Sequence, residues 1–479
     1  MLNHFYAKEL SQLVSKVQPQ ALQQPQLVLS NESLYQQLQL PQSWQQQEGL
    51  LEALFAADGA LSAGAVAQKY GGHQFGQWNP DIGDGRGLLL GEVRDKAGAP
   101  WDLHLKGAGQ TPYSRFGDGR AVLRSTIREY VISESLHALG IPTSRALCLI
   151  SSQHPVQRES LETGAMLIRV CASHLRFGHF EYFHHTGDKA KLESLFDFVF
   201  KHHFPQLLEK DNSYLAFLQK VISDTADLIA KWQAFGFCHG VMNTDNMSIH
   251  GISFDFGPFA FLDQFIPDYI CNHSDHGGRY AFDQQPGVAL WNLHAFAQAF
   301  FDYVPEDAIA EALKSYEPRL IAQYKNLMQQ KFGFATEHQG DASISNQFMQ
   351  QLAKERADFT QSFRALCHIR CDTENSEWLD LFQDRHWAAE WLTLYVQRLQ
   401  LETHSDEERH VKMRQINPKY IPRNYLIQQA IVAAQQQDFA PLKQLLEVMM
   451  QPFDEQQEQA HFARPPAPEQ VAKPLSCSS

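Results

Sequence analysis

Cysteine is scarce: seven residues (Cys148, Cys171, Cys238, Cys271, Cys367, Cys371 and Cys477) in 479, odd in number and without a CxxC pair. That speaks against a secreted disulfide framework and a structural zinc site, both of which need paired, closely spaced thiols. Long apolar runs are missing too, and no stretch approaches the ~18 residues of a membrane-spanning helix. Positive charge is in short supply, with 40 Lys plus Arg against 54 Asp plus Glu for a formal charge of −14. Such a balance argues against a general nucleic-acid binder or an anchor on anionic membranes. The first residues, MLNHFYAKELSQLV, have a helix-like apolar pattern but no cationic n-region, long apolar h-region or small-residue cleavage site. A soluble, cytoplasmic protein is expected.

What is present is core-forming material, 44% hydrophobic and 11% aromatic, enough at ~100–200 residues per domain for two or three lobes. Gln18 to Gln47 is rich in Gln, but Leu27, Val28, Leu29 and Leu34 supply apolar anchors, so a strand-and-helix wrap is expected there. Glycines crowd between Tyr70 and Gly119, where Leu88-Leu89-Leu90 and Leu103-His104-Leu105 read as strands joined by tight turns. A helix follows from Leu123 to Leu139, closed by Gly140 and Pro142, with further strands at Ala146–Ile150 and Met166–Val170. Past Leu192 the pattern is helical, with one short β-like excursion at Asn246–Phe256; beyond Glu306 Leu352, Phe359 and Phe363 recur at helical spacing, as do Trp387, Trp391 and Leu394. The fold class is therefore α+β, a small β-rich lobe before a large α-rich one, with helical elaborations at both ends.

Four features in this order carry chemistry. Ile82-Gly83-Asp84-Gly85-Arg86-Gly87 precedes an apolar strand; its glycines let backbone N–H groups approach phosphate, and Arg86 adds charge, although ordinary hairpins share the pattern. Lys106 ends the Leu103–Leu105 alternation, and an ammonium beside a core needs an acidic partner or an anionic ligand. Glu129 shares a helix stripe with Ile132, Leu136 and Leu139 and needs a cation, so Lys106 with Glu129 is the economical ion pair. Then His239 and Asn246 show the spacing of the kinase loop H-R-D-x-x-x-x-N, and Asp255-Phe256-Gly257 is a literal D-F-G, whose Asn and Asp hold metal ions in kinases. The kinase base position is Val241, which cannot accept a proton; the nearest loop carboxylate is Asp245. Either catalysis is lost, or Asp245 serves a reaction of different geometry.

Four blocks, YGGHQFGQWNPDIGDGRG, HLKGAGQTPYSRFGDGRAVLRSTIREY, FCHGVMNTDNMSIHGISFDFGPFAFLD and NPKYIPRNYL, resemble signature segments of the selenoprotein O family, and the likeness covers nearly the whole chain. Members are kinase-like protein adenylyltransferases that hold the nucleotide inverted, with the α-phosphate toward the acceptor. The resemblance implies a protein-kinase-like bilobal fold divided into an N-terminal wrap (1–65), a nucleotide-binding small lobe (66–175), a large lobe with the catalytic and metal-binding loops (176–300) and a helical extension with a redox tail (301–479). It implies ATP contacts from Gly83, Gly85, Arg86, Lys106, Asp118 and Gly119, with Arg169 and Arg176 on the distal phosphates. Asn246 and Asp255 would ligate Mg²⁺ or Mn²⁺, and Asp245 would take the proton of a Ser, Thr or Tyr hydroxyl on a protein substrate; with Mn²⁺, UTP is also implied. The tail Cys477 matches a position filled by selenocysteine in some members, and the resemblance implies a regulatory disulfide to Cys271. A true kinase and a non-catalytic ATP-binding scaffold are the rival readings.

Two other groupings attract notice. His273, Asp275 and His276 beside a Gly-Gly turn lack a third well-spaced ligand and are expected to be loop hydrogen-bonding residues. Cys367 and Cys371, one helical turn apart, are expected to be core thiols.

Overall fold

The alternation Leu103-His104-Leu105-Lys106 puts leucines on one face of a strand and polar groups on the other, and the sheet is built on that division. The computed structural model describes residues 2–470. The N-terminal segment supplies helix α1 (Phe5–Glu9), strands β1 (Val14–Lys16) and β2 (Gln26–Ser30), and helices α2 (Glu32–Gln37) and α3 (Gln47–Phe55). The glycine-rich stretch forms β3 (Val66–Gln68), the hairpin β4 (Gly72–Gln74) with β5 (Gln77–Asn79), β6 (Gly87–Arg94), β7 (Pro100–Lys106) and β8 (Ala121–Val122). Helix α4 (Leu123–Ala138) leads to the long strands β9 (Arg145–Gln157) and β10 (Leu161–Cys171). Helices α5 (Phe177–His185), α6 (Lys189–His202) and α7 (Ser213–Phe235) follow, then the two-residue strands β11 (Phe237–Cys238) and β12 (Ala260–Phe261). The remainder is helical: α8 (Gln285–Ala297), α9 (Glu306–Lys314), α10 (Tyr316–Lys331), α11 (Asp341–Glu355), α12 (Phe359–Leu366), α13 (Ser376–Leu379), α14 (Arg385–Leu399), α15 (Asp406–Arg414), α16 (Asn424–Gln435) and α17 (Ala440–Met449).

The main sheet runs β1-β3-β6-β7-β10-β9-β2, with β8 on β10, so both edge strands come from the N-terminal segment. Its pairs are antiparallel. One face, Leu88, Leu90, Leu103, Leu105, Met166, Ile168 and Val170, packs on Leu34, Tyr35, Leu50 and Leu54 of α2 and α3. The opposite face offers Leu89, Leu149 and Leu167 to Ile127, Tyr130 and Val131 of α4, and this core continues into the helices through Phe177, Phe180, Phe196 and Phe217. Gly140, in the left-handed region at φ 73°, ends α4 where the sequence predicts.

Two expectations change. The β-like excursion Asn246–Phe256 forms no strand: it makes isolated bridges, Arg176 to Ser248 and Thr143 to Ser253, and the pairing is between the flanking β11 and β12. Its Asn, Asp and Ser side chains favour turns, and its backbone is held from outside, Phe177 N–H donating to the Met247 carbonyl at 2.9 Å. Leu352 and Phe359 lie on separate helices, because Arg356 is left-handed at φ 51° and Asp358 starts the next helix by accepting from Gln361 N at 2.9 Å. Among the described residues no helix is long and apolar enough to cross a membrane.

The C-terminal helices are tied back by Arg423, 1% exposed, which donates to Asp263 at 2.6 Å and Asp358 at 2.7 Å. Truncating one partner of a buried ion pair leaves charge uncompensated. Arg423→Met is expected to lower unfolding stability by ~3 kcal/mol or more in urea titration; a loss under ~1 kcal/mol, the range of an exposed pair, would show that the anchor is dispensable.

Candidate active site

The register of β7 and β10 sets Lys106 opposite Leu167 and His104 opposite Arg169. These polar side chains leave the sheet on the side away from the Leu103 and Leu105 face, into a cleft of about 660 Å³ between the sheet and the loops after α7. The cleft brings together every described nucleotide and metal candidate: Gly83, Gly85, Arg86, Lys106, Asp118, Gly119, Arg169, Arg176, Asp245, Asn246 and Asp255 all line it.

At its floor lies a charge network. Lys106 Nζ contacts Glu129, which α4 holds fully buried. The Arg169 guanidinium contacts one Asp255 oxygen, lies 3.4 Å from Glu129 Oε1 and 3.0 Å from His104 Nδ1. Arg176 contacts the other Asp255 oxygen and donates to the Asp245 carbonyl at 2.6 Å, its guanidinium 4.5 Å above the Tyr70 ring. Burial works against ionised Asp255, but Arg176, Arg169 and Lys106 hold its carboxyl well below the usual range. Burial lowers the Lys106 ammonium, with Glu129 opposing. Three cations converge on Glu129 and Asp255, and guanidinium forks beside an ammonium suit the oxygens of a polyphosphate.

The loop Gly83–Gly87 is braced from the facing loop, Thr111 Oγ1 donating to the Asp84 carbonyl at 2.7 Å and Ser114 Oγ to that of Gly85 at 2.5 Å. Arg86 is exposed at the cleft. Asp118 sits at the mouth, accepting from Arg158 at 2.8 and 3.0 Å. Gly119, at φ 68°, crosses so close to Gly109 that a Cβ would fall 2.1 Å from its carbonyl.

Asp245 follows Thr244, whose hydroxyl donates to Glu181 at 2.9 Å and accepts from His73 N at 2.7 Å, so the β4–β5 hairpin fastens this loop. Burial pushes the Asp245 carboxyl up to about 7, and its Oδ1 is buried without a hydrogen-bond partner among the described residues. A carboxylate oxygen in that state is a competent proton acceptor. Val241, at the kinase base position, also lines the cleft. His239 instead serves the core, bonding the Phe254 carbonyl at 3.1 Å and stacking on Trp232.

The donor set fits a magnesium-like cation. Asn246 Nδ2 donates to the Val241 carbonyl at 3.1 Å, leaving Oδ1 without a hydrogen-bond donor among the described residues, and Asp255 adds a carboxylate on the same cleft that a cation would share with Arg169 and Arg176. Such hard oxygens suit a cation that completes its shell with phosphate and water. Among the described residues no group of three or more His, Cys, Asp or Glu could cage a metal unaided.

Cys271 is buried, its Sγ 2.6 Å from the Pro258 carbonyl and 3.5 Å from Cys238 Sγ, a neighbour with no sequence signal. Cys477 lies outside the described residues. Asp275 caps its turn, accepting from Arg279 N at 2.9 Å and Tyr280 N at 2.7 Å, while His273 and His276 are exposed. Cys367 is a buried thiol, and Cys371 is half-buried beside Arg409.

Sequence reasoning missed Asp84 and His104, whose buried pair (3.3 Å) holds the second layer; Asp84 also accepts from Tyr70 and Gln68 N. Polar residues interrupting apolar strand alternation are the available signal for His104. Arg158 and Glu181 had none.

A cleft of this composition suits a nucleoside polyphosphate. Residues 2–450 match the family described as Protein adenylyltransferase SelO, and the chain belongs to it. It is similar to proteins named protein nucleotidyltransferase YdiU: 53% identical over 478 residues to that of Pseudoalteromonas atlantica, covering 100% of each chain. The Aliivibrio salmonicida protein is 47% identical over 468 residues (98% and 96% covered), and that of Yersinia pseudotuberculosis 46% over 475 (99% and 98%).

Gly178 of α5 passes Gly71 so closely that a Cβ would sit 2.1 Å from its carbonyl oxygen. Gly178→Ala is expected to destabilise by ~1–3 kcal/mol, as overpacking does, and to displace the hairpin from Asp245. Denaturant unfolding showing wild-type stability would refute the close-packing account.

Proposed function

We infer that this chain transfers AMP from ATP to hydroxyl groups of protein substrates, on a kinase-like bilobal scaffold with the division 1–65, 66–175, 176–300 and 301–479. The observation that carries this reading is the pairing of Val241, which cannot act as a base, with Asp245, whose buried unpartnered oxygen shares the cleft with Asp255 and Asn246. The acceptor hydroxyl attacks the α-phosphorus as its proton passes to Asp245. The bond to the β-phosphate oxygen breaks, pyrophosphate leaves and AMP stays on the acceptor. Lys106, Arg169 and Arg176 hold the phosphates, Arg169 and Arg176 the distal ones, while Gly83, Gly85, Arg86, Asp118 and Gly119 border the nucleotide. Asn246 and Asp255 would hold Mg²⁺ or Mn²⁺, which when bound offsets the charge of the phosphate oxygens. Glu129 keeps Lys106 charged and in place.

The family resemblance supports use of UTP with Mn²⁺, protein partners and a regulatory Cys271–Cys477 disulfide, while the acidic balance and the lack of long apolar runs support a cytoplasmic location with neither nucleic acid nor membrane as partner. Cys271 Sγ lies against the Pro258 carbonyl, so a disulfide formed at Cys271 would bear on the segment after Asp255.

Purified protein given Mg²⁺ and ATP labelled on either the α- or the γ-phosphate is expected to retain α-label only; γ-label on protein would restore the kinase reading. Asp255→Ala should abolish labelling. Asp245→Ala should lower turnover by about 10²-fold or more with ATP affinity retained; equal loss of ATP binding in both variants would remove the base assignment. Cys271→Ser and Cys477→Ser should each erase any dependence of activity on reductant.

A further inference from the structure

The block NPKYIPRNYL has no part in the cleft, yet it reaches the two elements that assemble it. Arg128 precedes Glu129 on α4 and is buried, 5% exposed. Its Nη1 donates to Asn424 Oδ1 at 3.1 Å and its Nη2 to the Phe259 carbonyl at 3.0 Å, while the guanidinium lies 4.3 Å over the Phe259 ring. Asn424 Nδ2 closes the triangle at 3.4 Å from the same carbonyl. Phe259 stands four residues after Asp255. One guanidinium thus joins the helix that carries Glu129, the segment that follows Asp255, and the first residue of α16, 296 positions away. The next residue back, Arg423, grips Asp263 at the far end of that segment.

Among the described residues Arg128 has no carboxylate partner, only neutral oxygens and a ring face. Burying a cation so is costly, and an apolar side chain would fill the space more cheaply. What the fork adds is direction: consecutive helix residues differ by a fixed rotation, so holding Arg128 sets the roll of α4 and the bearing of Glu129 on Lys106 and Arg169.

We propose that Arg128 and Asn424 are positioning residues for nucleotidyl transfer, a clasp through which the C-terminal helical segment fixes α4 against the chain after Asp255 and so assembles the Lys106–Glu129–Asp255 constellation. The proposal rests on the transfer reading above. The clasp is intramolecular, so the site is built whenever the C-terminal helices are docked.

The test uses full-length wild type, Arg128→Met, Asn424→Ala, Asn424→Asp and the double variant Arg128→Met/Asn424→Ala. Turnover with α-labelled ATP, thermal unfolding and hydrogen–deuterium exchange over residues 123–138 are followed together. Asn424→Ala is expected to lose about tenfold in kcat, more than in KM for ATP, with faster exchange in α4 and a largely unchanged melting temperature. Asn424→Asp keeps an acceptor for Arg128 and should recover to within about threefold of wild type. The double variant should be no worse than its more damaging single change, as residues acting through one contact are not additive. Wild-type kcat and exchange in Asn424→Ala, or a loss matching only the fraction unfolded, overturns the clasp. A wild type that labels no protein overturns the transfer reading instead, and exchange in α4 still judges the clasp.

Discussion

Lys106, Glu129, Arg169, Asp255 and Arg176 meet in a pocket where none of them is well hydrated, and that buried charge network dictates much of what surrounds it. Ionised groups out of water must be compensated or they neutralise. The fold compensates them against one another and gathers three cations at one cleft, inside a chain whose formal charge is −14. A binding site for a polyanion on an acidic protein has to be local and enclosed in this way, because the long-range field repels the ligand.

Each member of the network comes from a different element, so its geometry is only as good as their docking. Strand alternation delivers Lys106 and Arg169, α4 delivers Glu129, and the loop before β12 delivers Asp255 in a left-handed conformation at φ 58°. Aspartate tolerates such a conformation better than most non-glycine residues, and two guanidiniums hold its carboxylate there. The β4–β5 hairpin braces the Asp245 loop from one side, and α16 braces α4 and the segment after Asp255 from the other. Dipoles and charges fixed before substrate arrives need little reorganisation during reaction, which is how such a site stabilises developing charge.

Legibility in the sequence tracked how strongly a residue violated its surroundings. Lys106 at the end of an apolar strand and Glu129 on an apolar helix stripe each demanded a partner, and the two are in contact. Arg169 and Arg176 were singled out by family resemblance alone, because an arginine after an apolar strand is equally at home on a surface. His104 and Asp84 went unread although they form the layer behind Arg169. The run Asn246–Phe256 looked like a strand because short apolar and polar residues alternate there; its backbone partners lie on α5 and the turn before β9, which no local pattern encodes.

Local chemistry determined the α+β order of elements, the limits of α4, the glycine-rich turns and the identity of the charged groups that could not stay unpaired. Periodicity and turn propensity act over a few residues and are written in the chain directly. Tertiary structure alone decided which cations share Asp255, that the hairpin at residues 72–79 lies against the Asp245 loop, that Cys238 neighbours Cys271, and that Asn424 reaches Arg128 across 296 residues. Those contacts depend on how whole elements pack, and packing is settled by the sum of burial over the entire core, which no single segment carries.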